Sequence, residues 1–204
     1  MELWDVYDEN RVPQNRLHRR GVPMRSGEYH LTVFVWIFNR KGQLLLTKRS
    51  PEKMAYPNFW ALTGGAVLAG ENGLQAVQRE TREETGIWAE QSEFELIDQY
   101  KRKNCLCDSY FLVKDVALSE LTMQPGETCD AKWVDRAEFE AMIARKEIAE
   151  PDAVRYREIG KLTHKYLRER TLCSCRVSAV PTGVPCRDCV HFVGRTEIWN
   201  WTKE

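Results

Sequence analysis

Apolar residues along this chain fall into short blocks separated by polar turns. Residues 31–38 are rich in β-branched and aromatic side chains, which predicts a buried strand. Residues 39–42 are typical of a turn and residues 43–48 predict a second strand, so we expect a hairpin. Further strands are predicted at residues 94–100, 107–113 and 132–134. Strands interleaved with few helices favour an α/β or α+β sandwich.

Helical spacing replaces the strand pattern over residues 72–84. Asn72 is a suitable N-cap for this helix, and Gly86 lies just beyond its expected end. Two later helices are predicted over residues 136–146 and 153–168, and both periodicities are lost from residue 171 onward.

The pattern of apolar and polar residues divides the chain into three regions. These are an N-terminal arm of residues 1–27, a domain of residues 28–168 and a C-terminal extension of residues 169–204. The arm combines a short strand-like stretch with a basic polar segment. Because such an arm can cover a sheet edge or exchange with a second copy, we expect a homodimer.

The chain of 204 residues balances 30 lysine and arginine residues against 30 aspartate and glutamate residues. A formal net charge of zero argues against a protein that holds a nucleic-acid polymer by neutralising its phosphates. The longest apolar run is far shorter than the roughly 20 residues that cross a bilayer, and the first ten residues lack the apolar core of a secretory signal. Seven cysteines, an odd number, suit reduced thiols. We therefore expect a cytoplasmic protein without a membrane span.

Three carboxylates share one side of the expected helix, because Glu80, Glu83 and Glu84 are spaced three and four residues apart. Like charges at this spacing repel one another unless a cation neutralises them. Hard carboxylate oxygens suit Mg²⁺ or Mn²⁺ better than zinc. The alternative interpretation is a solvated acidic face.

The triplet is part of a longer motif formed by Gly65, Glu71, Arg79, Glu80, Glu83, Glu84, Gly86 and Ile87. In its offsets this motif resembles the Nudix box of the Nudix hydrolase superfamily. One position departs from the family pattern, since Thr81 stands where an aliphatic residue is usual. Threonine still presents a methyl group to the core, so we expect a small packing cost and no loss of metal binding.

The resemblance implies an α/β fold, a Nudix α/β/α sandwich with a mixed β-sheet and a loop–helix–loop metal site. It implies that Glu80 and Glu84 bind Mg²⁺ or Mn²⁺, with Glu83 a ligand directly or through water. The implied reaction is hydrolysis of a diphosphate bond in a nucleoside diphosphate-linked or related small molecule, by attack of water at phosphorus. The identity of the general base stays open. The candidates are the box glutamates Glu80 and Glu83 and two later acidic residues, Glu127 and Asp130. For the latter two, an ordinary surface charge is the alternative interpretation.

The other residues of the motif have structural roles by the same resemblance. Arg79 and Glu71 are expected to pair and hold the loop, and Gly86 ends the helix. Gly64 and Gly65 would let the backbone approach the metal and the diphosphate, because a Cβ atom would crowd the site.

Cationic and aromatic residues before the box are candidates for binding substrate. Arg49 and Lys53 could clamp phosphate oxygens, and Tyr56, Phe59 or Trp60 could stack on a base. Each is also explained by solvation or packing, Trp60 above all as a core residue. The group beyond the diphosphate is open between a nucleoside di- or triphosphate, a nucleotide sugar and a prenyl diphosphate.

The sequence upstream of the box resembles Nudix proteins related to isopentenyl-diphosphate isomerase. An isomerase needs an active-site cysteine after the loop tryptophan and a metal-binding histidine nearby, and residues 61–70 contain neither. The complete box also favours hydrolysis. His30 is either a metal ligand, as a histidine at a comparable position is in the isomerases, or a strand-edge histidine with a polar neighbour. An isomerase and a catalytically silent sensor or adaptor are the alternatives to a hydrolase.

The C-terminal extension holds four of the seven cysteines, Cys173, Cys175, Cys186 and Cys189. Four thiolates can close a tetrahedral structural zinc site. The first pair is separated by one residue only, which is unusual for zinc, so free thiols are the favoured interpretation.

Overall fold

Two β-sheets, three α-helices and two short 3-10 helices make up the part of the chain described by a computed structural model, residues 2–171. A two-stranded sheet comes first, formed by β1 (Leu3–Tyr7) and β2 (Pro13–Arg19). The second sheet has seven strands: β3 (His30–Phe38), β4 (Leu44–Arg49), β5 (Trp60–Ala61), β6 (Thr63–Ala66), β7 (Glu95–Arg102), β8 (Cys105–Val113) and β9 (Thr128–Val134). The helices are α1 (Gly73–Thr85), α2 (Arg136–Ala144) and α3 (Glu150–Thr171).

The seven-stranded sheet is mixed. Strand β3 runs parallel to β8 along its whole length and antiparallel to β6. The predicted turn at residues 39–42 is present, but β3 and β4 share only the pair Phe38 and Leu44. Beyond the turn β4 pairs antiparallel with β9, so the expected hairpin opens into two separate ladders. The reason is that the long apolar β3 is buried between other strands, and β8 and β6 take its edges.

Hydrophobic cores lie on both faces of this sheet. Alternate residues of β3, Val33 and Val35, pack in one core with Val77 of α1. Trp36, the residue after Val35, points to the opposite face and packs in the other core with Phe139 of α2. Burying each large side chain contributes about 1.5–3 kcal/mol. Helices on both faces of a mixed sheet confirm the predicted α/β/α sandwich.

Helix α1 has the two capping residues that the sequence predicts, and its bounds differ by one residue from the predicted 72–84. The Asn72 side chain accepts a hydrogen bond from the backbone N–H of Gln75, and the Gln75 side chain accepts one from the N–H of Asn72, both at 2.9 Å. Gly86 closes the helix in the left-handed conformation, with φ of 75°. Thr81 is fully buried, and its hydroxyl donates to the Val77 carbonyl at 2.7 Å, which satisfies the extra polar group.

The segment predicted as an arm holds a hairpin that packs against the domain. Its second strand, β2, is absent from the sequence prediction because residues 13–19 are almost wholly polar. Val6 of β1 is buried, and the backbones of Tyr7 and Tyr29 exchange hydrogen bonds of 2.8 and 2.9 Å. The Trp4 ring stacks on His30 with 4.1 Å between ring centroids. The hairpin is therefore packed against the domain as part of the same folded unit.

Cys173, Cys175, Cys186 and Cys189, which the sequence leaves open between free thiols and a zinc site, lie outside the described residues. Within residues 2–171 the cysteines, Cys105, Cys107 and Cys129, form no disulfide. None of the helices in this range combines the length with the apolar character that crossing a membrane requires.

Candidate active site

A cleft of about 460 Å³ lies where β3, β6, α1 and the N-terminal hairpin meet. Most of the candidate residues from the sequence line it: Arg49, Lys53, Gly64, Gly65, Arg79, Glu80, Glu83, Glu84 and Glu127. Residues that are up to 78 positions apart in sequence are thus gathered around one space. A concave site with converging charged groups is the expected form of an active site.

Glu84 is the most buried carboxylate of the cleft, with 7 % of its surface exposed. Its Oε2 accepts a hydrogen bond of 3.2 Å from the backbone N–H of Gly64. Burial, together with the charge of Glu80, raises the pKa of Glu84 to about 8. A buried carboxylate that lacks a strong counter-charge is a favourable place for a cation.

Glu80 lies beside the backbone of β6. Burial raises the pKa of Glu80, and Arg79 opposes this shift. A Cβ atom at Gly65 would overlap the Glu80 carboxylate, whereas one at Gly64 would overlap the Val33 carbonyl of β3. Gly65 therefore leaves room for the acidic group, and Gly64 allows two strands to approach closely.

Arg79 holds the loop before α1. Its Nε and Nη2 donate to the two carboxylate oxygens of Glu71 at 2.8 and 2.9 Å, and Nη2 also donates to the Ala66 carbonyl at 3.0 Å. Such a fork of two parallel bonds fixes both partners. Glu71 in turn accepts the N–H of Leu68 at 3.0 Å. The geometry matches the expected structural pair.

Arg79 also binds two carboxylates of the cleft. Its Nη1 lies 2.8 Å from Glu80 Oε1 and 3.2 Å from Glu83 Oε2. Within residues 2–171 no three His, Cys, Asp or Glu side chains converge as a ready set of metal ligands. A divalent cation would compete with Arg79 for these oxygens.

The loop side of the cleft carries the other charged candidates. Lys53 forms a salt bridge with Glu127, which fixes both at the cleft. Arg49 donates from Nε to the Ala55 carbonyl at 2.9 Å. Asp130 lies on β9 opposite Lys48, is exposed and does not line the cleft.

Sequence analysis did not identify several residues that line the cleft: Glu2, Trp4, Arg20, Thr32, Phe34, Ala66, Leu68 and Gln124. Alternate residues of a strand share one face, so Thr32 and Phe34 lie on the same face of β3 as His30. This alternation could have predicted them as cleft residues from the sequence. The aromatic candidates Tyr56, Phe59 and Trp60 lie outside the lining. Trp60 instead packs against the core, with Lys132 Nζ 4.3 Å from its ring centroid.

His30 is buried in the wall of the cleft. Its Nε2 lies 3.0 Å from the Cys105 Sγ, and Trp4 covers one face of its ring. Burial lowers the pKa of His30 to about 4, so the imidazole is neutral at pH 7. Cys105 is thus a polar neighbour of His30 on the adjacent strand β8.

Comparison with known proteins matches residues 28–158 to the family model described as the NUDIX domain. An uncharacterized Nudix hydrolase of Listeria monocytogenes is 43% identical over 143 residues, which cover 70% of this chain and 85% of that protein. An isopentenyl-diphosphate Delta-isomerase of Klebsiella pneumoniae is 30% identical over 147 residues, covering 68% of this chain and 79% of that enzyme. A crystal structure from Deinococcus radiodurans has a TM-score of 0.61 at 23% identity, and covers 82% of this chain and 98% of that one.

The family match spans the seven-stranded sheet and α1, and its range contains Gly64, Gly65 and the cleft carboxylates of α1, Glu80, Glu83 and Glu84. Sequence motif, fold and relatives agree. The chain therefore belongs to the NUDIX domain family, within which its relatives include both a hydrolase and an isomerase by name.

Proposed function

We propose that this protein is a metal-dependent hydrolase that cleaves a diphosphate bond of a small-molecule substrate by attack of water at phosphorus. The observation that carries the proposal is the position of Glu84 and Glu80, two largely buried carboxylates, in one cleft with Arg49 and Lys53. Acidic residues at the centre and cationic residues at the side suit a phosphorylated substrate that brings a divalent cation.

The donor set fits Mg²⁺ or Mn²⁺. Glu80 and Glu84 would hold the ion, with Glu83 a ligand directly or through water, since carboxylate oxygens are the ligands that these hard cations prefer. Gly65 supports this assignment because its missing side chain lets the Glu80 carboxylate lie against β6, inside the cleft. When bound, such an ion lowers the pKa of a coordinated water and neutralises developing charge on phosphate.

The remaining residues would position the substrate and move the proton. Arg49 and Lys53 would donate hydrogen bonds to phosphate oxygens, while Arg79 keeps the loop in place through Glu71. The proton of the attacking water would pass to a carboxylate oxygen of a box glutamate or of Glu127. Asp130 lies outside the cleft and would therefore take no part in the reaction.

The test is a metal-dependent assay over nucleotides, nucleotide sugars and prenyl diphosphates. Glu84→Gln keeps the shape of the side chain and removes its charge, so kcat should fall by about 100-fold or more. The matched control is Glu9→Gln, which makes the same change on the exposed surface of the hairpin. Equal turnover by Glu84→Gln and the parent, or no turnover of any substrate by the parent, would overturn the proposal.

Isomerisation of isopentenyl diphosphate is the second candidate. The Klebsiella pneumoniae relative and the contact between His30 and Cys105 at the cleft wall favour it. Burial raises the pKa of Cys105 to about 11, and its side chain does not line the cleft, which makes it a poor proton carrier there. Migration of the double bond, detected by NMR without release of phosphate, would establish the isomerase. Binding of nucleotide without any conversion would favour the sensor.

A further inference from the structure

The N-terminal hairpin, defined as β1, β2 and the flanking residues Glu2 and Arg20, forms one wall of the cleft. Glu2, Trp4 and Arg20 all line it. These residues precede the range of the family match, which begins at residue 28. The hairpin therefore adds a cation to the cleft from outside the matched domain.

The hairpin is attached to the domain at several points, so this wall has a defined position. The N–H of Ala69 donates to the Leu3 carbonyl at 2.8 Å, in the loop before α1. The N–H of Gly70 donates to Asp5 Oδ2 at 2.7 Å. At the other end, Arg11 Nη1 lies 2.7 Å from Oδ1 of Asp108, a buried carboxylate of β8. The same loop that Arg79 holds thus also carries the hairpin.

Arg20 extends the pairing of the two strands. Its backbone N–H donates to the Glu2 carbonyl at 3.1 Å, and its Nη1 lies 2.6 Å from Glu2 Oε1. The hydrogen bond to Glu2 raises the pKa of Arg20, and the negative charges of Glu127 and Glu80 also raise it. The guanidinium therefore interacts electrostatically with carboxylates on the opposite side of the cleft.

Arg79 and Arg20, two cations of the cleft, differ in how strongly their partners bind them. Arg79 is shared among three carboxylates and a carbonyl, which leaves it little capacity for substrate. The side chain of Arg20 is 53% exposed, and that of its partner Glu2 is 40% exposed. Exposed ion pairs of this kind are weak. Arg20 can therefore exchange Glu2 for a substrate oxygen at small cost.

We infer that Arg20 is a phosphate-binding residue of this site, which releases Glu2 and donates to an oxygen of the substrate's diphosphate. The inference rests on the proposed function, because it takes the cleft to be the diphosphate site. A planar guanidinium matches phosphate geometry with two parallel hydrogen bonds. With a divalent cation at the box carboxylates, the diphosphate would be bound by that cation on the α1 side of the cleft and by Arg20 on the hairpin side.

The experiment compares Arg20→Ala with Arg19→Ala. Arg19 is the neighbouring exposed arginine on β2 and does not line the cleft. Its substitution by alanine removes the same charge. The probe is methylenediphosphonate with Mg²⁺, which cannot be hydrolysed, titrated calorimetrically into the full chain. We expect Arg20→Ala to weaken binding by about 10-fold or more and Arg19→Ala by less than about two-fold.

A merely structural role for Arg20 is tested by thermal unfolding and by a double-mutant cycle. Under the inference, Glu2→Gln frees the guanidinium and tightens binding of the probe, and this gain disappears in the Arg20→Ala background. Equal binding by Arg20→Ala and the parent, a gain that persists without Arg20, or a parent that does not bind the probe would overturn the inference. Loss of turnover in Glu84→Gln together with unchanged binding in Arg20→Ala would leave the proposed hydrolase standing and refute this role of Arg20 alone.

Discussion

The backbone N–H of Gly64 donates to the Glu84 carboxylate at 3.2 Å, which joins β6 to the end of α1. The next residue, Gly65, faces the Glu80 carboxylate one turn earlier on the same helix. Two adjacent glycines thus contact different partners. The space for a side chain is closed at Gly64 by the backbone of β3 and at Gly65 by the acidic side chain of Glu80. The two positions should therefore respond differently to an added methyl group.

Gly64→Ala should destabilise the fold, and Gly65→Ala should impair the site. At Gly64 the added Cβ would overlap the Val33 carbonyl, which cannot move without shifting β3, so we expect a loss of about 1–3 kcal/mol in the free energy of unfolding. At Gly65 the Glu80 side chain can turn away, so stability changes less and kcat/KM falls by about 100-fold. Urea unfolding and diphosphate hydrolysis measure the two effects, and the same ranking in both assays would contradict this division.

The boundaries of α1 were predictable because its signals are local. Asn72 and Gly86 act on the first and last turns of the helix, and neither depends on distant residues. Strand β6 was not predicted, because a segment with two glycines becomes a strand only by pairing with β3. The contribution of Arg20 could not be predicted either, since it depends on how a polar hairpin packs on the domain. Motif spacing locates α1 and its carboxylates, but the opposite wall arises from tertiary contacts.

Arg79→Lys should lower both stability and activity. Lysine keeps the charge but cannot bind both oxygens of Glu71 or reach the Ala66 carbonyl at the same time. We expect a loss of about 1–3 kcal/mol in the free energy of unfolding and a fall in kcat as the loop before α1 loosens. Arg82→Lys, on the exposed side of the same helix, is the control and should change neither. Equal effects of the two substitutions would show that the fork geometry is unimportant.

The stability of the protein should depend on pH through His30. Its pKa is about 4 in the folded state and about 6.5 when the chain is unfolded, because burial favours the neutral ring. Between these values the unfolded chain binds the proton that the folded chain excludes. Stability is therefore lost as pH falls from about 6.5 to about 4, by an amount on the order of 2–3 kcal/mol.

His30→Phe keeps a ring to stack on Trp4 and removes this titration. The difference in unfolding free energy between parent and variant should favour the parent least at pH 4.5 and should level off above pH 7. Urea unfolding at several pH values measures that difference. A difference that is constant across this range would mean that His30 titrates normally.

Mg²⁺ should stabilise the parent protein against heat, because a cation between Glu80 and Glu84 relieves the cost of burying two carboxylates. At ten times its dissociation constant the ion should raise Tm by about 3–6 °C. Glu84→Gln removes one ligand and much of the repulsion, so this variant should start with a higher Tm and gain little from the ion. Glu9→Gln should respond like the parent, and NaCl at equal ionic strength separates binding from screening. A shift of the same size in Glu84→Gln would place the ion elsewhere, because no interaction at Glu84 would then contribute to its binding.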